Sequence, residues 1–240
     1  ASDLKFSASW GVYNQFMYKM ASVDRDNNFS YHWVANNAEI PVLHANHLVA
    51  GLNFYRKGFT MNIEPYYKTT GNLTRLIFSD KPVIHGNLPD FYRVRGDART
   101  TGIDVYLKKD FGRHAVWASY TLSKTSERLA RNRSALPAWQ PAPHDQRHEL
   151  KMAGIMNIRN FYLSADYVYG SGMEILKKVF EDETGNIRYN RLDAALIYKI
   201  PLRKMNADAG ISVLNVLDTQ NLKAANLRNI FVTPTLGYVK

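Results

Sequence analysis

The sequence predicts an all-β chain: an antiparallel transmembrane β-barrel of about ten strands. Three observations predict it. Segments of about ten residues alternate apolar and polar side chains, and the connectors joining them alternate between very short and very long. No apolar run reaches the roughly 18 residues that a membrane-crossing helix requires. The clearest segment interleaves Phe161, Leu163, Ala165, Tyr167 and Tyr169 with Tyr162, Ser164, Asp166 and Val168. A period of two means a strand with two different faces. Only helices and closed barrels satisfy their own backbone hydrogen bonds inside lipid, so the pattern bears on solvent as well as architecture.

Ten strands are expected, at approximately 4–16, 45–55, 59–69, 100–110, 114–124, 147–157, 160–171, 190–200, 205–216 and 229–239. Four connectors are tight: Arg56-Lys57-Gly58, Gly112-Arg113, Ile158-Arg159 and the Pro201–Lys204 turn. Five are long: 17–44, 70–99, 125–146, 172–189 and 217–228. The two kinds alternate without exception. Outer-membrane barrels place short turns in the periplasm and long loops outside. The first strand then runs outward, and the C-terminus lies in the periplasm.

The faces separate cleanly. One carries Phe6, Ala8, Trp10 and Val12, then Leu48, Ala50, Leu52 and Phe54, then Ile103, Val105 and Leu107. It continues through Leu150, Met152, Gly154 and Met156 to Leu192, Ala194, Leu196, Tyr198 and Ile200. The other carries Glu64, Lys68, Asp104, Lys151, Asp166 and their polar neighbours. A soluble sandwich alternates too, with its apolar face inward. Strand length favours the membrane, because sandwich strands average about 5–6 residues and tilted membrane strands need about ten. Most prolines fall in connectors. Pro65 and Pro234 interrupt strands, and a bulge or local break is expected at each.

The chain has 240 residues and no cysteine, which excludes a disulfide framework and cysteine-based zinc or redox sites. Its net charge of +10 raises nucleic acid as a partner. The basic residues sit in connectors, with no basic helix and no run of five, so they are read first as keeping turns and loops soluble, and no nucleic-acid role is expected. Attraction to anionic lipid head groups or an anionic ligand is the sharper reading of that charge. The start, Ala-Ser-Asp-Leu-Lys-Phe, opens directly on a strand without a signal peptide. A chain that begins partway through a longer polypeptide is therefore expected.

Several segments carry a family resemblance. Arg95-Gly-Asp-Ala-Arg-Thr-Thr-Gly-Ile-Asp-Val-Tyr-Leu-Lys-Lys109 resembles a barrel strand of TonB-dependent receptors, and Trp117-Ala-Ser-Tyr-Thr-Leu-Ser-Lys124 is similar to their next strand. Pro141-Ala-Pro-His-Asp-Gln-Arg-His-Glu-Leu150 resembles the segment re-entering the barrel in Bacteroidetes members. Tyr169-Gly-Ser-Gly172 resembles the close of the following strand, and Val213-Leu-Asn-Val-Leu-Asp218 the Asn-Val-Phe-Asp motif of the penultimate one. The resemblance implies the C-terminal part of a barrel of about 22 strands that takes up a scarce nutrient. It implies as partners the remaining strands and plug of the same receptor, the TonB complex, outer-membrane lipid and a surface lipoprotein. It implies no cofactor and places the chain in the cell outer membrane. Two departures stand: the plug and TonB box are absent, and Lys240 stands where the family ends on an aromatic.

The densest polar cluster is His144-Asp145-Gln146-Arg147-His148. Two histidines four apart on a strand share a face but lie roughly 13 Å apart, too far to share one ion. A rim hydrogen-bonding role is therefore expected for His144, Asp145, Arg147 and His148, and no metal site. Ten-stranded outer-membrane proteases carry Asp and His at the mouth, and His85, Asp90, His144 and Asp145 offer those residue types. No nucleophile motif accompanies them, so no enzyme is expected. Loop aromatics, above all Trp33, Tyr92 and Trp139, are candidates for stacking on a ligand. The polar row of Glu64, Lys68, Asp104, Lys151 and Asp166 would line the lumen. The competing expectation for the chain is a self-contained ten-stranded pore or adhesin.

Overall fold

Tight turns set the register of the sheet. Lys57 and Gly58 both have positive φ (47° and 72°), which gives the chain reversal a twist matching that of the strands it joins. Gly112 (φ 68°) and Arg159 (φ 55°) do the same at the turns Gly112-Arg113 and Arg159-Asn160. Each leaves its flanking residues directly opposed: Arg56 with Phe59, Phe111 with His114, Ile158 with Phe161.

The structure, a computed structural model, describes residues 3–23, 29–38, 40–78, 91–130, 137–174, 188–202, 205–222 and 238–239. The strands are β1 (Leu4–Gln15), β2 (Met17–Val23), β3 (Phe29–Ala35), β4 (Leu43–Arg56), β5 (Phe59–Phe78), β6 (Phe91–Phe111) and β7 (His114–Ala130). They continue with β8 (Gln140–Pro141), β9 (His148–Ile158), β10 (Phe161–Gly170), β11 (Tyr189–Pro201), β12 (Asn206–Val213), β13 (Asn221–Leu222) and β14 (Tyr238–Val239). Ten of them form one antiparallel sheet in the order β1-β4-β5-β6-β7-β9-β10-β11-β12, with β8 also paired to β7. The fold is all-β. Among the described residues β1 pairs only with β4 and β12 only with β11, so the sheet is open at both edges.

The register collects the apolar rows onto one face. Phe6 opposes Leu52, which opposes Ile63, which opposes Val105. Val105 opposes Tyr120, Tyr120 opposes Leu150, and Leu150 opposes Tyr169. Farther along, Met156, Leu163, Leu196 and Ile211 form one row, and Gly154, Ala165, Ala194 and Val213 the next. Among the described residues nothing covers this face. Phe6 is 73% exposed, Trp10 71% and Ile211 65%. The buried apolar side chains among the described residues are Tyr18, Ile40, Ala45, Val94 and Ala142, none of them in those rows. A water-soluble domain stacks a second layer on such a face. Here, among the described residues, a single layer stands alone.

The strands depart from expectation mainly at the loop end. The connector expected over 70–99 is mostly strand, with β5 running to Phe78 and β6 starting at Phe91. Gly71-Asn72, inside the expected connector, forms a bulge: the register shifts between Thr70 and Leu73, and Asn72 takes a left-handed φ of 61°. The connector expected over 17–44 contains the β2–β3 hairpin, and β7 runs on to Ala130. β12 stops at Val213 rather than 216, because Asn215 turns left-handed (φ 53°). At Pro65 the expected local break is found: the β4–β5 ladder skips from Val49–Tyr66 to Leu52–Ile63 and resumes in step, with no register shift. Pro234 lies outside the described residues. So does most of the strand expected at 229–239, of which Tyr238–Val239 pair with Asn221–Leu222.

Candidate functional site at the loop end of the sheet

The rim motif folds as a splice between β7 and β9. Asp145 is buried, and its Oδ1 accepts the Thr125 backbone N–H at 2.6 Å. Arg147 donates to Oδ2 at 3.2 Å. The backbone N–H of Ala142 donates to the Thr125 carbonyl, and that of Ser123 to the Arg147 carbonyl. His148 places Nδ1 2.8 Å from the Tyr120 hydroxyl with the rings stacked, and its N–H donates to Ser171 Oγ. His144 is exposed. The motif's polar groups are thus spent largely on holding the chain where it re-enters the sheet.

Beside it lies an arginine and tryptophan cluster. Trp139 precedes β8, whose Gln140 opposes Glu127 of β7. The Arg99 guanidinium lies 4.4 Å from the Trp139 ring centre and that of Arg128 4.8 Å. Arg128 also grips Asp97 Oδ2 through both Nε and Nη2, at 3.1 and 2.9 Å. On the other face, Arg75 donates to Glu127 Oε1 at 2.8 Å, while the buried Glu127 Oε2 has no hydrogen-bond partner. Trp139 was expected as a loop aromatic; the structure sets it against two cations.

The other expected ligand aromatics are not in loops. Trp33 lies on β3 opposite Lys19 and is 66% exposed. Tyr92 lies on β6 opposite Ile77, with its side chain outside the described residues. His85 and Asp90 lie outside them too.

Glu64, Lys68, Asp104, Lys151 and Asp166 all stand on the face opposite the apolar rows. Glu64 opposes Asp104, whose Oδ1 accepts from Thr121 at 2.7 Å. Lys68 sits 4.5 Å over the Tyr66 ring, and Lys151 pairs with Glu149 at 2.5 Å. Asp166 opposes Asp193. These five are spread over four strands, β5, β6, β9 and β10, and do not converge on one centre. Among the described residues no group of three His, Asp or Glu side chains is placed to hold a metal ion.

No family model matches the chain, and no curated protein matches it.

One cluster was not among the expected site residues. Arg191 grips Asp193 with Nε and Nη2, both at 2.8 Å, and Asp193 Oδ1 accepts the Asn215 backbone N–H at 2.8 Å. Asn215 donates in turn to the Thr219 carbonyl. The Leu-Asn-Val-Leu-Asp segment after β12 is therefore tied back to β11. An Arg-x-Asp on one strand face beside a downstream Asn is the trace it leaves in the sequence.

Proposed function

We propose that the chain is the C-terminal barrel portion of a TonB-dependent outer-membrane receptor of Bacteroidetes type. It acts by binding and gated passage. Long outer loops capture a scarce nutrient, and a plug elsewhere in the receptor rearranges under energy delivered from the periplasm. The observation that carries the reading is the single apolar face spanning β1 to β12 with no second layer over it among the described residues. Lipid is the solvent in which such a face is stable, and a closed barrel the form in which its edges are paired. The open edges at β1 and β12 support further strands of the same receptor beside them. The charged opposite face suits a wet lumen or a plug.

Nutrient uptake tests the proposal. Deleting the gene should abolish uptake of one nutrient class from a panel of iron chelates, cobalamin, glycans and peptides, and deleting TonB should abolish the same uptake. Uptake that survives without TonB, together with steady ion conductance by the chain alone in planar bilayers, would instead mean a self-contained pore.

A further inference from the structure

The apolar face ends, at the loop end of β6 and β7, in a basic and aromatic ledge. Along β6 that face runs Leu107, Val105, Ile103 and then Thr101, Arg99 and Asp97. Along β7 it runs Ala118, Tyr120, Leu122 and then Lys124, Ser126 and Arg128. The register keeps these in step, opposing Ile103 with Leu122, Thr101 with Lys124, Arg99 with Ser126 and Asp97 with Arg128. The cations therefore continue the apolar rows and do not belong to the polar face. β5 adds Tyr67 opposite Thr101, and its side chain is 44% exposed.

The charges on this ledge do not cancel. Arg128 is paired with Asp97. Arg99 and Lys124 are exposed, and no carboxylate among the described residues lies within ion-pair distance of either. Trp139 holds the Arg99 guanidinium at 4.4 Å, which limits the positions that a long side chain would otherwise sample. Height matters as much as charge. At about 3.4 Å per residue and a tilt of about 40°, Lys124 stands ~5 Å and Arg99 ~10 Å beyond the last apolar positions. Lys124 therefore falls within the head-group layer, which adds roughly 5–8 Å to each side of the hydrocarbon, and Arg99 stands just past its outer edge with a side chain long enough to reach back into it.

We propose that Arg99, Lys124 and Trp139 form a site on the outer wall for a phosphate-bearing lipid head group of the loop-side leaflet. Arg99 offers the phosphate a planar fork of donors and Lys124 a point charge. Trp139 and Tyr67 provide amphipathic rings at the boundary between head group and chain. The site rests on the membrane reading above, since in water the same cations would meet only a soluble anion.

The test uses the whole receptor that carries this chain, in phosphatidylcholine vesicles doped with monophosphoryl lipid A or with the same lipid dephosphorylated. Insertion is read by protease protection, and lipid retention by mass spectrometry after detergent extraction. The expected result is that the phosphorylated lipid is retained about tenfold over the dephosphorylated one. Arg99→Ala with Lys124→Ala should bring the two to parity, while Lys5→Ala leaves the preference intact. A chain that inserts but shows no preference overturns the site alone. So does a preference erased by millimolar inorganic phosphate, which would mark a soluble-anion site. A chain that fails to insert overturns the membrane reading and the site with it.

Discussion

Asp145 and Thr125 sit on opposite sides of the chain's re-entry into the sheet, and the Asp145 carboxylate accepts the Thr125 backbone N–H at 2.6 Å. Thr125 lies where β7 has lost β9 as a partner and β8 has taken over, so its N–H has no ladder acceptor except this side chain. A charged acceptor makes such a bond worth about 1.5–3 kcal/mol. Asp145→Ala should lower folding stability by about 2 kcal/mol, and Asp145→Asn by less, because the amide oxygen still accepts. Urea unfolding in lipid vesicles measures both. Equal losses would show that the hydrogen bond is not what the residue contributes.

Two glycines of β6 should respond to different degrees. A methyl group at Gly96 would collide with the Arg128 carbonyl oxygen, a backbone atom that moves only with the strand. At Gly102 the collision is with the tip of the Tyr66 ring, which can swing aside. Gly96→Ala should cost about 1–3 kcal/mol and Gly102→Ala under about 1 kcal/mol. The same unfolding measurement ranks them, and the reverse order would contradict the close approach of β6 and β7.

Lys57 occupies a left-handed conformation that costs an ordinary L-residue roughly 1–2 kcal/mol. Asn tolerates that region, and Asn-Gly is the preferred pair for such a turn. Lys57→Asn should raise stability by about 0.5–1 kcal/mol. A loss would mean that the Lys57 side chain contributes something its exposure does not suggest.

Tyr18 supplies a pH dependence at the base of the β2–β3 hairpin. Its hydroxyl donates to the Pro41 carbonyl, and burial pushes its ionisation above the ordinary value of 10.0. A group whose folded pKa is raised contributes stability that is complete below the unfolded value and lost as pH rises through the folded one. Thermal unfolding from pH 8 to 11 should therefore show the advantage of the natural chain over Tyr18→Phe shrinking only above about pH 10. A difference that does not change with pH would exclude the hydroxyl as its source.

The strand faces were legible because they depend on parity alone. Once Phe6, Ala8 and Trp10 share a side, any register that opposes Phe6 to Leu52 carries the rest along. Strand ends were not legible, because the residues that punctuate them serve two purposes. Gly71-Asn72 has turn chemistry, yet it makes a bulge inside a 20-residue strand, and Asn215 sits in a run of apolar residues yet ends β12. The rim was half legible. His144–His148 stood out as a cluster, but the value of Asp145 depends on Thr125, 20 residues earlier, and that of Trp139 on Arg99. Such partners are set by register, which no local pattern contains.

The central claim is that the uncovered apolar face meets lipid, and a cysteine scan of β10 tests it most directly. The chain has no native cysteine, so single substitutions from Tyr162 to Tyr167 can each carry a fluorophore without background. With the protein in vesicles, the account predicts that a lipid-borne nitroxide quenches labels at Leu163, Ala165 and Tyr167. A water-soluble quencher should reach Tyr162, Ser164 and Asp166 instead. Quenching without alternation, or with water reaching Leu163, Ala165 and Tyr167 preferentially, would contradict it.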